Sequence, residues 1–165
     1  MLENLIYQLE EVPVSDFSVA DAESLFRITR KIAAHRMDTL QEITSSDKVA
    51  SLLCELCRGD KNEHFGVIYL NTKHRIIHID PGLFVGTVNA AAVYPRRVAE
   101  EALLRGAAAV VFWHNHPSGD PEPSAADHAI TAQLKDALSL LDVRVLDHLV
   151  VGSHRWVSLA SRGVL

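Results

Sequence analysis

The sequence predicts an α/β fold in which a mixed β-sheet is flanked by helices. Short apolar, β-rich runs of strand length recur at 64–71, 75–84, 107–113, 143–151 and 155–159. Segments with helical spacing lie between them, at 95–105 and 125–141. Strands that alternate with helices in this way build layered α/β domains. Residues 1–60 read as a small helical N-terminal extension, and residues 61–165 as the main domain.

Taken in order, Ser18-x-x-Asp21 is a capping start for a helix through about Arg36. Arg27, Arg30 and Lys31 share one face of it, which reads as a solvated face, with a phosphate-contacting stripe as the alternative. A second helix follows Ser45-Ser46-Asp47 and stops near Arg58-Gly59-Asp60. It contains Cys54-x-x-Cys57 within an apolar helical pattern. No further cysteines complete a structural zinc site, so the pair reads as packing thiols. The same shortage excludes a zinc deaminase, which needs a Pro-Cys-x-x-Cys beside its His-x-Glu. This unit should pack on the main domain or on another subunit.

The first strand of the main domain ends at the turn Asn71-Thr72-Lys73. Pro81-Gly82 interrupts the second run, which implies a bend or two pieces. Pro95 suits the first position of a helix, and Val98, Ala102 and Leu103 give that helix an apolar face up to Gly106.

The run Ala107 to Trp113 leads straight into His114-Asn115-His116-Pro117. Strand side chains alternate, so His114 and His116 share a face if the strand persists, and Trp113 points away from them. Pro117 denies the ladder a donor, and Ser118 to Pro123 are dense in turn formers. That loop stands where it can gate access. Ala126, Ile130, Leu134 and Leu138 then recur at helical spacing and put Asp127 in the first turn. Ser124-x-x-Asp127 also has the form of a helix-capping box, and one hydroxyl can cap a helix while facing a site. Two imidazoles and a carboxylate that meet after a loop return make a three-ligand zinc site with the fourth position left for water. From spacing alone Glu63 is an ordinary solvated residue among Asp60, Lys61 and Asn62, because nothing local marks a general base. Asp147 and His148 interrupt an apolar strand. They either orient a ligand histidine or satisfy one another at a strand bend.

Glu63-His64-Phe65, His114-Asn115-His116-Pro117 and Ser124-x-x-Asp127 together resemble the JAMM (MPN/JAB) metalloprotease motif. From about Glu63 to Gly152 the chain resembles, more narrowly, the RadC family. Further matching stretches are Gly86-Thr87, Pro95-Arg96, Ser118-Gly119, Leu146-Asp147-His148 and Val151-Gly152. The resemblance implies Zn2+ held by His114, His116 and Asp127, with Glu63 as general base. It implies that Ser124 helps to stabilise the tetrahedral intermediate, and that the substrate is a peptide or isopeptide bond. Relatives commonly carry an acidic residue where this chain has Arg97, and a small one where it has Trp113. Longer members carry an N-terminal helix-hairpin-helix region. Residues 1–60 show no Gly-rich hairpin signature, so a short form without it is expected.

At 165 residues and 48% hydrophobic, the chain can bury one proper core. Its formal charge of −5 argues against a dedicated nucleic-acid binder, so DNA binding is expected to be weak or absent. No run of 18 apolar residues exists for a membrane span. The first residues lack a basic region followed by a long apolar stretch, so a cytoplasmic location is expected. The activity that the resemblance implies is that of a zinc metallopeptidase acting on a protein or peptide. A DNA repair or processing factor and a non-catalytic MPN-type scaffold are the alternatives, and the sequence leaves the oligomeric state open, a homo-oligomer included.

Overall fold

A computed structural model describes residues 12, 13, 16, 18–38, 46–86 and 93–165. Ser45 and Thr87, which the sequence places at a helix start and at a family position, lie outside the described residues. The elements run α1 (Val19–Asp38), α2 (Ser46–Cys57), β1 (His64–Leu70), β2 (Ile76–Val85), α3 (Pro95–Leu104), β3 (Ala109–Asn115), α4 (Ala125–Ser139), β4 (Arg144–Val151) and β5 (Trp156–Ser158). The strands form one sheet in the order β2-β1-β3-β4-β5. Among the described strands only β3 and β4 pair in parallel. The fold is the mixed α/β sheet with flanking helices that the sequence predicts.

Each element has a local cause. Ser18 caps α1: its hydroxyl accepts from the Asp21 N–H at 3.2 Å, and the Asp21 carboxylate accepts from the Ser18 N–H at 3.0 Å. Gly59, at φ 72°, sits just past the end of α2, and Gly106, at φ 63°, just past α3. Pro95 opens α3 at a position whose N–H has no intrahelical partner. Pro81 is accommodated because β2 is an edge strand. The strand is not broken into two pieces there; an irregularity opposite Phe65 to Val67 absorbs Pro81-Gly82.

The sheet is covered on both faces. On one, Val49, Ala50, Leu52, Leu53 and Cys54 of α2 pack with Ile68, Leu70, Val111, Trp113, Leu149 and Val151. α2 falls within the stretch 1–60, and it packs on the sheet, as that unit was expected to do on the main domain. On the other face, Val98 and Ala102 of α3 and Leu134 and Leu138 of α4 pack with Phe65, Val67, Tyr69, Val110 and Phe112. Ala126, the first residue of the predicted apolar stripe on α4, is exposed instead, because the helix begins beyond the edge of this core. Trp113 lies on the α2 face, away from His114, as strand alternation requires. Its cross-strand partner is Gly66, where a Cβ would overlap the indole. A glycine opposite it lets a tryptophan stand beside the first histidine.

One irregularity positions the site. Along the parallel pair, Val110 faces Val145 but Val111 faces Asp147, so Leu146 is an extra residue. A strictly alternating strand would put Asp147 on the α4 face. The bulge puts His148 there, beside Phe112 and His114.

Candidate metal centre

His114 is near the end of β3, His116 is the first residue after the strand, and Asp127 is in the first turn of α4. β3 ends at Asn115, so the strand does not run through His116. The backbone stays directed all the same, because the His116 N–H donates to the Val151 carbonyl at 2.9 Å. The two Nε2 atoms lie 3.0 Å apart. His114 Nε2 is 3.3 Å from Asp127 Oδ1, and His116 Nε2 is 3.5 Å from Asp127 Oδ2. Donors about 2.0–2.1 Å from one tetrahedral zinc would be spaced by about 3.3 Å. Among the described residues this is the one cluster of three His, Cys, Asp or Glu side chains so arranged.

The protons in the site can be assigned. The Asp127 backbone carbonyl can only accept, so Thr131 Oγ1, 2.5 Å away, donates its single proton there. His148 Nδ1 is 2.6 Å from the same Oγ1 and must therefore be the donor to it. His148 is completely buried, and burial holds its pKa well below the usual histidine range, with His114 adding to the effect. The ring is neutral, so its Nε2 is an acceptor, and His114 Nδ1 donates to it at 2.8 Å. His114 Nε2 is left with a bare lone pair. His116 Nδ1 donates to the Asp120 carbonyl at 2.8 Å, which leaves its Nε2 bare as well. Two lone pairs and a carboxylate then face one point with no proton among them. That arrangement is repulsive unless a cation, or an added proton, occupies it, and the donor set fits zinc.

Electrostatics show the same demand for positive charge. Hydrogen bonding to Asp127 raises the His116 pKa against the effect of burial, with the Asp120 carbonyl and the charges of Asp127 and Glu63 contributing. Burial pushes the Asp127 carboxyl up, but once a proton is added in place of a metal, hydrogen bonds from His114 and His116 outweigh burial and hold the group below the ordinary carboxylate range.

Ser124 and Asp127 form a complete capping box. The Ser124 hydroxyl donates to Asp127 Oδ2 at 2.6 Å and accepts from the Asp127 N–H at 3.2 Å. The cap thus also orients the carboxylate that faces the histidines. Glu63 is half-buried in the segment just before β1, and its carbonyl accepts from the Gly86 N–H at 2.8 Å. A cleft of about 100 Å³ adjoins His116, between Arg58 and Asp60 on one side and Pro117 and Gly152 on the other. It opens beyond the carboxyl ends of the parallel pair β3–β4, the usual place for a ligand in a sheet of this kind. The 118–123 loop contacts the segments that follow β4. The Ser153 N–H donates to the Gly119 carbonyl at 3.1 Å, and Arg162 grips Glu122 through two bonds of 2.6 and 2.8 Å.

Of the two residues that interrupt β4, His148 orients the candidate ligand His114 and Asp147 does not. Asp147 accepts from the Ser158 hydroxyl at 2.8 Å and from the Ala160 N–H at 3.1 Å, on the β5 side. Thr131 escaped the sequence reading. Its signal was a polar residue on the buried stripe of α4, four positions after Asp127. Cys54 is buried and Cys57 half-buried, neither in a disulfide. Burial pushes the Cys54 thiol up to about 11, so it packs as an inert thiol.

The sequence profile of the RadC-like JAB domain matches residues 43–164. The chain belongs to the RadC-like JAB family. It is 60% identical over 114 residues to a UPF0758 protein of Vibrio cholerae, covering 69% of this chain and 70% of that one. A UPF0758 protein of Alcanivorax borkumensis is 49% identical over 136 residues, 82% of this chain and 60% of the relative. One of Halorhodospira halophila is 43% identical over 152 residues, 92% of this chain and 67% of the relative. This RadC-like chain therefore spans about 60% of the length of the Alcanivorax relative. Among its described residues, no helix is long and apolar enough to cross a membrane.

Proposed function

We propose that this RadC-like JAB domain is a zinc-dependent hydrolase that cleaves a peptide or isopeptide bond. The observation that carries the reading is the pair of bare Nε2 atoms, 3.0 Å apart, facing the Asp127 carboxylate. His114, His116 and Asp127 would hold the metal. Bound zinc would polarise a scissile carbonyl and lower the pKa of a water toward about 7. Glu63 takes the water proton and passes it to the leaving amine. Ser124 donates to the developing oxyanion, worth about 3 kcal/mol at comparable sites. In the present geometry the hydroxyl donates to Asp127 Oδ2, so donation to the oxyanion requires a rotation of the hydroxyl. The chain acts on protein or peptide, not on DNA: two-metal nucleases gather several carboxylates at ions about 4 Å apart, and this cluster holds a single carboxylate.

The test begins with elemental analysis of the purified protein, where an equivalent of zinc is expected. Zinc-loaded protein is then incubated with a peptide library and with plasmid. Glu63→Gln should retain the metal and lose about 10²–10⁴-fold in peptide turnover. Loss of the metal in that variant would make Glu63 a ligand and remove the base from the scheme. Plasmid nicking that disappears in Glu63→Gln, with no peptide cleaved, would replace this reading with a nuclease. A protein that takes up no zinc would turn the reading to a scaffold.

A further inference from the structure

We propose that Asn115, the residue between the two candidate histidine ligands, is a positioning residue for Glu63. The inference rests on the reading of Glu63 as the base. Asn115 is 3% exposed, so its amide must find partners inside the protein. It finds them on both sides of one residue. Asn115 Oδ1 accepts from the His64 N–H at 2.8 Å, and Asn115 Nδ2 donates to the Asn62 carbonyl at 3.0 Å. Glu63 is the residue bracketed, and the Gly86 N–H holds its own carbonyl from a third direction at 2.8 Å.

The clamp exists because of how β3 ends. Phe65 and His114 form the last pair of the β1–β3 ladder. Beyond them the His116 N–H donates to Val151 of β4, and among the described residues no main-chain partner remains for residues 62–64 on that side. The Asn115 side chain supplies a donor and an acceptor in the place of a strand neighbour. An amide is the chemistry this needs. A carboxylate there would lose the donor, and serine offers a single proton too close to its own backbone to reach both groups. The consequence is that one residue ties the Glu63 backbone to the strand carrying His114. The base and the candidate metal ligands are thereby held on one rigid frame, where a misplacement of about 1 Å costs catalysis heavily.

The test uses the full chain loaded with Co(II), a spectroscopic stand-in for zinc, in wild type, Asn115→Ala, Glu63→Gln and the double variant. All should bind an equivalent of Co(II) and keep the wild-type circular dichroism. Asn115→Ala and Glu63→Gln should change the visible d–d spectrum in the same direction, and the double variant should add nothing further. In the metal-free protein, the His64 amide should exchange at least about tenfold faster in Asn115→Ala while Val111 and Trp113 stay protected. Should Asn115→Ala aggregate, Asn115→Asp, which keeps the acceptor and lacks the donor, takes its place with a smaller change in the same direction. A wild-type spectrum in the Asn115 variants, alongside a changed one in Glu63→Gln, overturns the positioning role and leaves the base reading intact. Additive changes in the double variant overturn it as well. No spectral change in Glu63→Gln, or no Co(II) bound by wild type, overturns the parent reading and this one together.

Discussion

His148 has no place among the candidate ligands, yet it decides which nitrogen of His114 is free to be one. Replacing it with phenylalanine keeps a ring in the buried space and removes the acceptor for His114 Nδ1–H. Zinc affinity should fall about 10–100-fold, measured by competition with a chelator. An unchanged affinity would show that the relay through Thr131 has no hold on the ligand. The titration directions at the site give a second expectation. In the metal-free protein the His116 pKa is raised on folding, chiefly by Asp127. Its contribution to stability is complete below the unfolded value of about 6.5 and is lost as pH rises through the folded value. The Asp127 pKa is lowered against the effect of burial, so its contribution is present above the unfolded value of about 3.9 and is lost as pH falls through the folded one. Metal binding needs both imidazoles neutral and so strengthens as His116 deprotonates. The melting temperatures of zinc-loaded and metal-free protein should therefore draw apart as pH rises from about 5 to about 8. A constant gap across that window would contradict ligation through His116.

At the scale of the element, α4 does two jobs with one cap. Ser124 closes the helix N-terminus and holds the Asp127 carboxylate with the same hydroxyl. Ser124→Ala should lower stability by about 1 kcal/mol from the lost cap. If Ser124 also serves the oxyanion, turnover should fall by about 10²–10³-fold with KM little changed. A variant that melts earlier but keeps its kcat would reduce Ser124 to a helix cap. The element behind β3 is equally specific. The Leu146 bulge in β4 turns His148 toward α4 and Asp147 toward β5.

At the scale of the molecule, the sheet depends on α2 for one of its two covers. Val49, Leu52 and Leu53 are at most 5% exposed and pack on β1, β3 and β4. Each such burial contributes about 1.5–3 kcal/mol, against a net stability of about 5–15 kcal/mol for a domain. A chain begun at about residue 43, where the family profile starts, should fold cooperatively. A chain begun at residue 61 should expose that face and aggregate or bind a hydrophobic dye, as seen by light scattering and dye fluorescence. Cooperative folding of the shorter chain would place the whole helical extension outside the core.

What the sequence determines alone is what short-range geometry controls. Alternation along β3, the turn formers of 118–123 and the cap at Ser124 bring His114, His116 and Asp127 within reach of one another over fourteen residues. The fold class was legible for the same reason: strand and helix periods are local patterns. The remaining contacts join residues far apart in the chain. Asn115 meets the Glu63 segment across 51 and 53 positions, and His148 meets His114 across 34. No local pattern separates an asparagine that clamps a distant backbone from one that merely faces solvent. Nor does any mark the bulge that turns His148, and not Asp147, toward the site. Those choices depend on strand register and on which buried polar group finds a partner, and only the assembled sheet supplies both.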